Sequence, residues 1–172
     1  DGTGARIVIA DPFDHRVRLY DEDTGLVTTF AGTGVPPTFI DQIGDGGPAT
    51  SGRLWEPSGV AAAEDGSVYI TERLGCRIRR VDPGGIITTV AGTGHCSANP
   101  ADTGPGPVTT LSQPFDVEVV GQTLYWTEIG SHLIRRMPFG GNVERVAGTG
   151  VAGFSGDGGP ATAAQLSQPR GL

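Results

Sequence analysis

The tetrapeptide Ala-Gly-Thr-Gly occurs three times, at residues 31–34, 91–94 and 147–150. Each copy closes a similar stretch: RVRLYDEDTGLVTTFAGTG, CRIRRVDPGGIITTVAGTG and LIRRMPFGGNVERVAGTG. A supersecondary unit repeated at this period cannot bury its apolar face alone and has to stack on its neighbours. The repeat therefore fixes the kind of architecture before any single residue is considered. It also directs the search for function, because positions shared by all copies keep the scaffold folded.

The 172 residues include 29 glycines and 13 prolines, and only 18% are charged. Such turn density, without a collagen triplet, fits many short strands better than helices. No run of 18 apolar residues is present, so no membrane span is expected. The opening DGTGARIVIA has neither a basic region nor a long apolar run and does not read as a signal peptide. A net charge of −7 excludes nucleic acid and anionic membrane as main partners, since neutralising phosphates needs a basic surface. The basic runs at 77–80 and 134–136 recur at strand spacing and read as packing or salt-bridge features of the repeat.

Within each copy, short runs alternate as strands do. The middle copy predicts four, at 58–63, 67–72, 77–82 and 86–91, with Pro83-Gly84-Gly85 as a tight turn. The third predicts four more, at 115–120, 123–127, 133–137 and 143–147, with Gly121-Gln122 as a two-residue turn. The first copy shows three, at 6–10, 16–20 and 26–31. Residues 165–172 match the lead-in to the first strand of the other two copies. The expected fold is all-β: a β-propeller of four-stranded antiparallel blades, about three in this chain, forming half of a six-bladed ring or part of a longer propeller.

The connections repeat as well. Twelve residues before Pro57, Pro114 and Pro169 stand Asp45, Asp102 and Asp157. Pro48-Ala49-Thr50 and Pro160-Ala161-Thr162 read as single helical turns with proline at the start. The only cysteines, Cys76 and Cys96, fall in the middle copy. Cys76 begins a strand whose antiparallel partner ends near Ala91, so the following loop returns Cys96 towards it. One disulfide is possible there, and it would imply an oxidising compartment.

The passages IADPFDHRVR, ITERLGCRIR and WTEIGSHLIR, with the Val-Ala-Gly-Thr-Gly endings and the FSGDGGPAT loop, resemble the NHL-repeat signature. They are most similar to the long-linker NHL repeats of bacterial secreted proteins and of the teneurin propeller. The match departs at Cys76, which replaces the usual histidine, at Leu133, which replaces the usual arginine, and at the His95-Cys96 insertion. The resemblance implies a propeller, typically six-bladed, used mostly for binding protein, carbohydrate or nucleic acid. It does not fix a ligand.

His15, Cys76 and His132 are equivalent across the three copies, and such a set would suit zinc on the propeller axis. A peptide-amidating lyase similar to this family holds zinc in that manner. The competing expectation is that this position hydrogen-bonds a loop. Asp11, Glu72 and Glu128 form a second equivalent set, expected to bond loop amides or to pair with Arg16 and Arg77 rather than hold calcium. The Asp45, Asp102 and Asp157 loops lack the alternating ligands of a calcium loop, so no cofactor is predicted, with Ca or Zn as the alternatives. Trp55, beside a loop, is the candidate sugar-stacking residue. No nucleophile elbow, P-loop or dinucleotide fingerprint occurs.

These readings converge on a non-catalytic extracellular or periplasmic binding and assembly scaffold that presents loops, with Asp45, Asp102, Asp157 and Trp55 on its contact surface, for a protein partner or self-association. Two alternatives stand beside it. One is a propeller lyase or hydrolase with an axial metal, and the other a carbohydrate-binding propeller.

Overall fold

The computed structural model describes residues 4–39, 42–101 and 103–172. Three antiparallel sheets follow one another along the chain. The first contains β1 (Arg6–Asp11), β2 (Arg16–Asp21) and β3 (Leu26–Ala31). The second is the meander β4 (Pro57–Ala62), β5 (Val68–Glu72), β6 (Arg77–Val81) and β7 (Ile87–Ala91). The third has five strands: β8 (Thr103–Pro105), then β9 (Pro114–Val120), β10 (Thr123–Glu128), β11 (Leu133–Pro138) and β12 (Asn142–Ala147), ordered β8-β12-β11-β10-β9. Every strand expected from the alternation is present within a residue or two of its expected bounds. The fold is the all-β propeller arrangement, and among the described residues no helix is long and apolar enough to cross a membrane.

Both core clusters lie between sheets, as strand alternation requires. Val68 and Ile70 of β5 face the first sheet, where they pack with Val17, Ala31, Leu54, Val81 and Ile87. Tyr69 faces the other way and joins Ile78, Leu111, Val117, Leu124, Trp126, Met137 and Val143. Leu54 and Leu111, aligned in the repeat, plug successive junctions and are fully buried. The inner strands meet at close range: Thr71 Oγ1 donates to Phe115 O at 2.8 Å and accepts the Gly59 N–H at 2.8 Å. A Cβ on Gly59 would overlap Phe115 O and Asp116 Cα, so this approach needs glycine.

The Asp-Gly-Gly-Pro connection forms a short extra strand on the outer edge of the next sheet. Gly46 N–H donates to Ile87 O at 2.8 Å, and Ile87 N–H to Gly47 O at 3.0 Å. The degenerate copy does the same as β8, pairing Thr103–Pro105 with 142–144 of β12. Strand alternation does not mark either segment, because three extended residues rich in Gly and Pro carry no period. Each is followed by a single 3-10 turn, at Ala49–Ser51 and Gly106–Val108, and a third lies at Ala161–Ala163. The outer edge of β3 has no such partner among the described residues.

Cys76 and Cys96 are disulfide-bonded, with their Cα atoms 5.3 Å apart. The bond fastens the loop after β7 to the β5–β6 turn, and it closes a loop of 20 residues. Cross-links of that span stabilise by about 3 kcal/mol, mostly by restricting the unfolded chain. Reduction is accordingly expected to lower the unfolding free energy by about that amount, read from denaturant curves with and without reductant. Non-reducing mass analysis should find no free thiol.

Candidate functional site

Two faces result from the meander. The β1–β2, β5–β6 and β10–β11 turns share one face with the long connections between sheets, and the remaining hairpin turns form the opposite face. On the connection face the three repeated positions have an identical task. His15 Nδ1 accepts the Glu56 N–H at 3.3 Å, the Cys76 sulfur accepts the Gln113 N–H at 3.4 Å, and His132 Nδ1 accepts the Gln168 N–H at 3.0 Å. All six residues hold φ between 45° and 57°, so two strained bends are clasped at each junction. Loop bonding is thus what these positions do here. The Cys76 sulfur is already bonded to Cys96. Among the described residues no three His, Cys, Asp or Glu side chains converge on a point that a metal ion could occupy.

Glu72 and Glu128 are structural too and bond loop amides as expected, but their arginine partners are not those expected. Glu72 and Arg79 are both fully buried and pair at 2.7 Å. Arg79 also reaches Asp45 at 2.6 Å and the Ile43 carbonyl at 3.2 Å, while Glu72 accepts the Trp55 N–H at 2.9 Å. Glu128 and Arg135 repeat this at 3.3 Å, with Glu128 also accepting Trp126 Nε1–H, Ser131 Oγ–H and the Ser112 N–H. Arg16 pairs instead with Asp14 at 2.6 Å. The correction follows from strand geometry: the carboxylate at the end of the second strand reaches diagonally to the arginine two residues beyond its cross-strand neighbour. That arginine is aimed into the incoming connection, whose carbonyls and Asp45 it collects.

Asp45 is therefore engaged inside the scaffold. Asp157 is exposed, Asp102 lies outside the described residues, and Trp55 is half-buried with both backbone groups bonded to the β5–β6 region.

What the scaffold does not consume are positions where the aligned copies disagree. Pro12, Arg73 and Ile129 are equivalent, as are Ser58, Phe115 and Arg170, yet these six converge with Phe13 and Glu56 on one cavity of about 310 Å³ on the connection face. Arg73 is ion-paired with Glu56, donating from Nε at 2.9 Å and from a second guanidinium nitrogen. The Arg170 guanidinium lies over the Phe115 ring, 5.3 Å from its centre. Two guanidinium groups, one carboxylate and an aromatic wall give a mixed recognition surface. None of these residues was itself singled out from sequence, although Pro12, Arg73 and Ile129 each directly follow a member of the acidic set. Comparing the copies column by column for disagreement, rather than agreement, would have found them.

Comparison with known proteins gives a consistent fold. The sequence profile of the teneurin NHL domain matches residues 16–127. Teneurin-3 of Danio rerio is 42% identical over 65 residues, covering 37% of this chain and 2% of that protein. Among solved structures, an auxiliary nutrient binding protein from Bacteroides thetaiotaomicron superposes with a TM-score of 0.67 at 19% identity, over 98% of this chain and 40% of that one. A second auxiliary nutrient binding protein, from Bacteroides ovatus, gives 0.65 at 17% identity, over 99% and 40%. The chain thus spans well under half the length of each of these relatives.

Proposed function

Because the chain belongs to the teneurin NHL domain family, we propose that it is a non-catalytic binding scaffold that holds a protein partner on its connection face in an oxidising, extracytoplasmic setting. The observation that carries this reading is where exposed apolar side chains fall. Phe13 is 90% exposed, Phe154 87% and Phe39 64%, on the β1–β2 turn and on the long connections that share its face. Phe13 lines the cavity that holds Arg73, Glu56 and Arg170, and an exposed aromatic beside a charged centre fits a protein contact. The disulfide supports the compartment, since such bonds persist outside reducing cytosol.

The test is cross-linking of the full chain in its native setting, comparing wild type with Phe13→Ser/Phe154→Ser and with Val120→Ser on the opposite face. The double variant is expected to lose at least tenfold of the cross-linked partner, while Val120→Ser retains it. Equal recovery from all three would reject the connection face as the binding surface.

A further inference from the structure

The opposite face carries a separate groove between the second and third sheets. It consists of two adjoining cavities of about 320 and 370 Å³, which share Asp65 and Phe139 as walls. The inner one has an apolar floor of Val90, Leu124 and Met137. The outer one is lined by Glu64, Asp65, Gln122 and Phe139 and contains no cationic side chain.

The walls are fixed. Phe139 stacks on Tyr69 with centroids 5.2 Å apart, and its N–H donates to Gln122 O at 2.9 Å, tying the β11–β12 turn to the β9–β10 turn. Asp65 accepts the Ser67 N–H at 2.9 Å and Oγ–H at 3.0 Å, and it meets Arg80 at 3.4 Å. The Ser67 N–H above all, then the opposing desolvation, then the Ser67 hydroxyl and Arg80, leave the Asp65 carboxyl below the usual carboxylate range. Asp65 is thus ionised at neutral pH and is already turned into the groove. Arg80 lines the inner cavity only, so Glu64 contributes a negative charge that Arg80 does not offset.

An aromatic ring beside two carboxylates and an amide, over an apolar floor, is complementary to one kind of side chain. It must carry a planar cation that can stack and donate to carboxylates on a methylene stem that can lie along Val90 and Phe139. We propose that this groove is a second binding site, receiving an arginine side chain of a partner protein. The net charge of −7 favours the approach of such a partner. The site is independent of the connection face, so either can fail without the other.

The experiment titrates the isotope-labelled full chain with N-acetyl-arginine methylamide at low salt, with the citrulline and lysine analogues in parallel. Saturable amide shifts confined to the 64–67, 121–123 and 138–141 turns are expected for arginine. The neutral citrulline probe should bind at least tenfold more weakly and lysine about fivefold more weakly. Glu64→Gln, which removes charge without removing a hydrogen bond of the fold, should weaken arginine binding several-fold, and Phe139→Leu should do likewise. Equal binding of citrulline, equal binding of lysine, an unchanged affinity in Glu64→Gln, or shifts scattered over the surface would each overturn the assignment.

Discussion

Glu128→Ala is expected to destabilise the chain by about 3–5 kcal/mol, because it strands the fully buried Arg135 guanidinium without its carboxylate. The loss reaches beyond one pair. Trp126 Nε1, Ser131 Oγ and the Ser112 N–H all lose their acceptor, and Arg135 loses the anchor from which it holds the Thr110 and Ala101 carbonyls. Denaturant midpoints for Glu128→Ala, Arg135→Met and the double variant complete a cycle. The double variant should recover a large part of the loss, since a paired deletion leaves no lone buried charge, but not all of it, since Trp126 and Ser112 remain unsatisfied. Strictly additive losses would mean that the pair does not act as a unit and that its burial is incidental to stability.

The second large effect concerns the repeated tetrapeptide itself. Its first glycine has φ of +93°, +91° and +95° at Gly32, Gly92 and Gly148, and a Cβ there would run into the carbonyl oxygen of His15, Cys76 or His132. Gly92→Ala is expected to cost more than about 3 kcal/mol, from an unfavourable φ together with an overlap on backbone that cannot swing aside. The second glycine differs between copies. At Gly34 and Gly94 a Cβ would strike the Arg16 or Arg77 guanidinium, which donates to the Thr33 or Thr93 carbonyl. At Gly150 the arginine is replaced by Leu133, and the nearest atom is Ser131 O at 3.9 Å. Gly150→Ala should therefore cost only about 1 kcal/mol, the conformational part alone. Similar midpoints for Gly92→Ala and Gly150→Ala would show that φ, not the close approach, selects the motif.

Much of the architecture was legible because the repeat supplies its own alignment. Strand alternation located the sheets, and the strand-to-loop-to-strand path of Cys76 and Cys96 allowed the disulfide that is found. Two kinds of information were not legible. The ion pairs run diagonally, Glu72 to Arg79 and Glu128 to Arg135, whereas cross-strand register alone points to Arg77 and Leu133. The cavity of Arg73, Phe115 and Arg170 assembles from the β5–β6 turn, the start of β9 and the segment after β12, whose spacing depends on how the sheets splay. Residues that disagree between copies carry no motif, and only the fold brings them together.

The extra strand formed by each Asp-Gly-Gly-Pro connection bears on how the chain behaves when concentrated. A strand edge is a row of amide donors and carbonyl acceptors open to any extended peptide. On β7 the Ile87 N–H and C=O are taken by Gly47 and Gly46, and on β12 residues 142–144 are paired with β8, so those stretches of edge offer a foreign strand no open partner. Each connection thus shields part of the outer edge of the sheet that follows it.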